Sequence, residues 1–169
     1  GAVADYIPAL ADADPDLFGA CIVGAAGLFA EVGDALHQFS IQSVSKSFVF
    51  ALVCDALGHE QVLEKVGVNG TGLPFNSVMA IELDDDRTMN PMVNAGAMAT
   101  TSLVPGATKE DKWEFIRAGL SRFAGRQLEV DPDVYASETA TNLRNQGIAR
   151  LLHGMGRTQA TAFKAHAAE

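Results

Sequence analysis

Ser43-Val44-Ser45-Lys46-Ser47-Phe48-Val49-Phe50-Ala51-Leu52-Val53-Cys54-Asp55-Ala56-Leu57 is the stretch on which the reading of this chain turns. Apolar almost all round from Phe48 to Val53 and followed by Gly58, it predicts a helix over 43–57 that is buried in a core and stopped by the glycine. Ser43 and Lys46 stand three residues apart, so on a helix their side chains leave the axis about 60° apart and share a face. Burial and the partial positive charge of the helix N-terminus both disfavour an ammonium. They predict a neutral Lys46 near pH 7 that can take the proton of Ser43. The backbone N–H groups at the same terminus are placed to hold a developing oxyanion. Serine and lysine are also common at helix starts and on solvated helix faces. What sets this pair apart is that the residues after the lysine, Ser47 to Cys54, hold a single hydroxyl among apolar side chains.

Working outward, the 169 residues, 48% hydrophobic and 20% charged, have the composition of one globular domain long enough to bury a core without staples. Lys and Arg total 12 against 21 Asp and Glu, a formal charge of −9, which repels phosphate backbones and anionic lipid and so argues against nucleic acid and membrane partners. Cys21 and Cys54 each lie in an apolar run, as small buried hydrophobes do, and neither has a neighbour at metal-ligand spacing. Two such cysteines, no span-length apolar stretch and no signal-peptide pattern at the first residues point to the cytoplasm.

The pattern predicts a short helix over 3–10 and a hairpin made of a buried strand over 17–24 and a second strand over 28–32, turning at Gly24 to Gly27. Residues 67–76 and the acidic turn Asp84-Asp85-Asp86-Arg87 read as surface connections. A helix is predicted from Asn94 to just before Pro105. Thr108 and Asp111 make a capping-box-like start to another, with Trp113, Ile116, Leu120 and Phe123 as its apolar stripe. A last helix is predicted from about Tyr135 to Leu152. On that single helix Glu138 and Asn145, seven positions apart, share a face, suited to the ammonium and carboxylate of an amino acid or simply to solvent. Asn90-Pro91-Met92-Val93-Asn94-Ala95-Gly96-Ala97 opens a small-residue helix, where an asparagine caps or a ligand or helix comes close. The acidic triplet lacks the spacing of a calcium loop, the four histidines are scattered, and Gly70-Thr71-Gly72 is too short for a phosphate loop.

In order and spacing, five runs resemble the serine-dependent glutaminase family, the type found in bacteria and shared with the animal kidney and liver enzymes. They are Val3 to Leu10, Phe39 to Lys46, Gly72-Leu73-Pro74-Phe75-Asn76, Asn90 to Ala97, and Ser137-Glu138 with Arg144-Asn145. The resemblance covers residues 1–153. It implies the α+β fold of serine β-lactamases and penicillin-binding proteins, incomplete at the C-terminus, with a glutaminase domain over 1–155 and a divergent tail over 156–169. It implies hydrolysis of L-glutamine to L-glutamate and ammonia with no metal or organic cofactor, and a homo-oligomer, dimer or tetramer, at full length. By the same resemblance Ser43 is the nucleophile and Lys46 its base, and Tyr6, Gln42, Ser43, Asn94, Glu138 and Asn145 line the glutamine pocket.

The family continues well beyond residue 169, with strands that pair with the first strands. The expectation is therefore unpaired strand edges, exposed apolar surface and little activity from these residues alone. Two alternatives stand beside the glutaminase reading: an inactive remnant that binds a partner, and a β-lactamase or peptidase on the same scaffold.

Overall fold

The structure, a computed structural model, describes residues 2–158. Residues 159–169 of the predicted tail, His166 included, lie outside the described residues. The chain divides into two compact units, one built from the described part of 1–41 with 130–141, the other from 42–129 with the described residues from 142 onward.

In the first unit, α1 is one turn, Pro8–Ala11. The predicted start at Val3 fails because Pro8 forces the residue before it out of the helical region: Ile7 is extended, at φ −116° and ψ 112°. β1 (Gly19–Val23) and β2 (Phe29–Gly33) form the expected antiparallel hairpin, with Cys21 opposite Glu31. Gly24 and Gly27 close its turn, and Asp34 Oδ2 accepts from Phe18 N at 3.0 Å at the other end. The expected burial of the first strand does not occur. Every residue of both strands is exposed, Ile22 at 75% and Phe29 at 68% among them, because this two-stranded sheet has no layer over either face among the described residues. Cys21 is exposed for the same reason, and both cysteines are free thiols. Among the described residues no third strand pairs with this sheet, and its apolar side chains are exposed. α6 (Pro132–Thr141) packs on α1, and Ala9 N donates to Ser137 Oγ at 3.2 Å.

The second unit carries the core. Gln42–Val44 make a 3-10 turn that leads into α2 (Ser45–Leu57), so the predicted helix starts two residues late as an α-helix and stops at Gly58 as expected, with φ 86°. Its burial is one-sided: Val49, Leu52 and Val53 are buried, whereas Ala51 and Asp55 face solvent. α3 (His59–Leu63) follows and buries Val62. α2 packs on α4 (Asn94–Ser102) and α5 (Lys109–Ala124), and α4 packs on α7 (Leu143–Gly154). One apolar cluster joins Val49, Val53, Val62 and Val104, and a second joins Ile81, Ala95, Ile148 and Leu152. Among the described residues no helix is long and apolar enough to cross a membrane.

Two further expectations are corrected. The capping box on α5 is present, but only part of the Trp113, Ile116, Leu120, Phe123 stripe turns inward: Ile116 packs on the first apolar cluster and Leu120 is half-buried. Trp113 and Phe123 are largely exposed, and Lys112 and Gly119 are the buried positions. Lys112 Nζ donates to the carbonyls of Ser102 at 2.8 Å and Val104 at 2.7 Å, closing the C-terminal turn of α4. At Gly119 a Cβ would run into the end of the Leu52 side chain on α2, so any larger residue there requires Leu52 to shift. The predicted last helix is two: α6 ends at Thr141, Asn142 is non-helical, and α7 begins at Leu143. Thr141 Oγ1 bonds back to the Ser137 carbonyl and Asn142 Oδ1 accepts from Gln146 Nε2, so side chains compete with the helical ladder where the break falls.

Gly96, buried in α4, lies against the backbone of Asn90, whose carbonyl oxygen occupies the space a Cβ would take. Gly96→Ala is expected to destabilise by about 2 kcal/mol through this overlap, despite alanine's better helix propensity, measured as a lowered urea midpoint. Lys112→Met leaves two buried carbonyls without their donor and is expected to cost about 1–3 kcal/mol in the same measurement.

Candidate functional site

Lys46 lies in the first turn of α2 and is half-buried, and its Nζ donates to Asn94 Oδ1 at 2.7 Å and to the Met92 carbonyl at 3.1 Å. Asn94 is the first residue of α4 and not its cap, since the capping position belongs to Val93, which makes no side-chain cap bond. Its amide is used across the site: while Oδ1 takes the lysine, Nδ2 donates to Asn145 Oδ1 at 3.0 Å, from α4 to α7. A continuous chain of side-chain hydrogen bonds, Lys46 to Asn94 to Asn145, therefore links three helices of one unit.

The loop before this site is more than a surface connection. The Phe75 ring lies with its centroid 5.6 Å from Lys46 Nζ, and its carbonyl accepts from the Asn94 backbone N–H at 2.8 Å. Asn76 next to it is held by Arg144 Nε at 3.0 Å. Phe75 stands in the Gly72 to Asn76 run of the sequence, which gives it no role, and the Met92 carbonyl is a backbone group that no residue type announces.

Burial pushes the Lys46 amine below the ordinary lysine value of 10.5. The aromatic face and the two oxygen acceptors beside it are groups of the kind that favour a cation. A neutral amine has two N–H bonds and one lone pair. Asn94 and Met92 take two N–H bonds, so in the neutral form the lone pair is the one position left for an incoming proton.

Ser43 is exposed in the 3-10 turn, three residues ahead of Lys46, and its hydroxyl has no hydrogen bond among the described residues. Gln42 precedes it with a φ of 42°, the one non-glycine residue with positive φ among the described residues. Of the residues named from the sequence, Gln42, Ser43, Lys46, Asn94 and Asn145 thus lie in one unit, and Lys46, Asn94 and Asn145 are in direct contact. Tyr6 and Glu138 belong to the other unit, Tyr6 62% exposed just before α1 and Glu138 half-buried on α6. Glu138 and Asn145 do not share a helix, because the break at Asn142 separates them.

Comparison with known proteins identifies the family. The Glutaminase family profile matches residues 1–166. Glutaminase 2 of Yersinia pestis is 55% identical over 157 residues, covering 93% of this chain and 46% of that protein. A glutaminase of Brucella canis is 49% identical over 156 residues, covering 92% of this chain and 49% of that protein. Among solved structures, the probable glutaminase ybaS superposes with a TM-score of 0.92 at 39% identity, covering 98% of this chain and 53% of that one. A probable glutaminase from Bacillus subtilis gives a TM-score of 0.81 at 30% identity, with 96% and 48% covered. The chain spans about half the length of the curated relatives it matches, and its fold is that of the corresponding part of the β-lactamase-like glutaminases. With the family profile matched along nearly all of its length, the chain belongs to the glutaminase family.

Proposed function

We propose that Ser43 and Lys46 are the nucleophile and general base of a glutaminase that hydrolyses L-glutamine to L-glutamate and ammonia. The observation that carries this is the Lys46 amine, desolvated and held by Asn94 Oδ1 and the Met92 carbonyl one turn after an exposed serine hydroxyl. In this reading Lys46 Nζ takes the Ser43 proton and Oγ attacks the side-chain carboxamide carbon of glutamine. The C–N bond breaks, ammonia leaves with that proton, and a glutamyl ester of Ser43 remains. Water then adds to the ester with Lys46 again as base, releasing glutamate and restoring the serine. The steps balance with these residues and water. The Bacillus subtilis relative is complexed with 6-diazo-5-oxo-L-norleucine, an amino acid with a reactive carbon in place of the glutamine amide nitrogen, which supports glutamine as the substrate.

Gln42, Asn94 and Asn145 supply amide donors and acceptors suited to a zwitterionic amino acid, while Tyr6 and Glu138 enter this reading from the sequence motifs alone, Glu138 as complement to the ammonium. On its two free cysteines and its charge of −9, the protein is assigned to the cytoplasm, without nucleic acid or membrane partners. It is taken as a homo-oligomer of two or four on family likeness. The relatives named glutaminase favour neither a β-lactamase or peptidase nor an inactive remnant.

In a version of the chain extended through the family's C-terminal region, Ser43→Ala is expected to lower ammonia release from glutamine by about 10⁴-fold or more, the scale for losing a nucleophile. Ammonia release within a few-fold of the parent would refute the assignment. The pH dependence has a definite sign. Because the folded pKa of Lys46 lies below its unfolded value, the free lone pair appears as pH rises through the folded pKa, so kcat/KM is expected to rise with pH and level off below 10.5. Between the folded and unfolded values the unfolded chain binds the extra proton, so the Lys46 contribution to stability also rises with pH. Lys46→Arg is expected to abolish the rising limb along with most of the activity, checked by steady-state rates over the accessible alkaline range.

A further inference from the structure

Ser45, which with Val44 separates Ser43 from Lys46 in the sequence, has no role in the reaction as written. Its hydroxyl donates to the Gln42 carbonyl at 2.7 Å. A serine bonding back to the third residue before it is ordinary helix-start behaviour, and Ser47 does the same to Val44 at 3.0 Å. The acceptors differ. Val44 has a common helical φ of −61°, whereas Gln42 is the residue with a φ of 42°. A residue with a Cβ in the left-handed region carries a conformational cost of about 1–2 kcal/mol and persists only where its surroundings hold it. Glycine, free of that cost, is absent at this position, so the turn depends on its contacts.

That turn sets the direction in which the chain enters α2 and hence where Ser43, the next residue, presents its Oγ. Ser45, half-buried, grasps the turn at the Gln42 carbonyl. We propose that Ser45 is a positioning residue for Ser43, its hydroxyl holding Gln42 in the left-handed conformation that fixes the nucleophile at the head of α2. This rests on the reading of Ser43 as nucleophile, but the Ser45–Gln42 coupling is measurable without it.

The test uses as parent the chain extended through the family's C-terminal region, with Ser45→Ala, Ser45→Thr, Gln42→Gly and the double variant Gln42→Gly with Ser45→Ala. For ammonia release, Ser45→Ala is expected to lower kcat roughly tenfold with KM changed less than about twofold, since geometry at the attacking atom is lost while binding groups remain. Ser45→Thr, which keeps the hydroxyl, is expected to restore kcat to within about threefold of the parent. An undiminished kcat in Ser45→Ala, or a loss that threonine does not rescue, overturns the proposal. In urea unfolding, Ser45→Ala is expected to lower the midpoint in the parent background and to have a smaller effect alongside Gln42→Gly, because glycine needs no holding in that turn. Equal shifts in the two backgrounds overturn it as well. Absence of ammonia release from the parent refutes the glutaminase reading, and with it the catalytic consequence; the unfolding cycle then decides whether Ser45 holds the turn.

Discussion

The amine of Lys46 is a cation by default, and it is set half-buried between two helices. Everything around it follows from supplying that group with oxygen atoms. Asn94 Oδ1 and the Met92 carbonyl supply two, and both belong to the segment that starts α4. For these oxygens to reach Nζ, α4 must lie against α2 with its N-terminus beside the first turn of α2, which is the packing observed. A hydrogen bond involving a charged or strongly polar buried group stabilises by only about 1–3 kcal/mol net, yet leaving such a group unpaired costs comparably or more. The constraint therefore acts mainly by excluding other arrangements of α2 and α4.

The same logic recurs at the far end of α4. There the last carbonyls would face an apolar interface, and Lys112 reaches them from α5. Burial lowers the pKa of this amine as well. α4 is thus gripped at its two ends by two lysines, one from α2 and one from α5. Between them the helix is made of small residues, with Ala95, Gly96, Ala99 and Thr100 buried, so neighbouring backbones come close enough for short polar side chains to bridge. Asn94 and Asn145 meet on this account. The close approach of Asn90 to Gly96 carries the Met92 carbonyl to the same place.

The hairpin shows the opposite balance. Its chain turns where glycines permit, and its backbone pairing is complete between β1 and β2, but its largely apolar side chains gain no burial. Phe18, Ile22, Val23, Phe29 and Val32 are all more than half exposed. An isolated two-stranded sheet is marginal in water, and its apolar faces are of the kind that associate with other surfaces. The polar chemistry of the second unit is by contrast supported by two apolar clusters, which give Lys46, Asn94 and Asn145 a fixed frame.

What the sequence alone determined are the features whose causes lie within a few residues. The Thr108–Asp111 capping box, the stop of α2 at Gly58, the extent of α4 from Asn94 and the pairing of β1 with β2 each depend on contacts between near neighbours, and each is legible in residue type and spacing. The Ser43 and Lys46 pair is legible for the same reason, as are the short runs that mark the family. Tertiary structure decided what those residues meet. Lys46 finds its partner 48 positions away and Asn94 finds Asn145 after 51. No local pattern says that α5 turns Lys112 and Gly119 inward in place of Trp113 and Phe123. Lys112 turns in to the end carbonyls of α4, and Gly119 faces Leu52 on α2. Nor does an apolar strand state whether a layer covers it. Burial is a property of the surface that arrives from elsewhere in the chain, and hydrophobicity records only the free energy to be gained if it does.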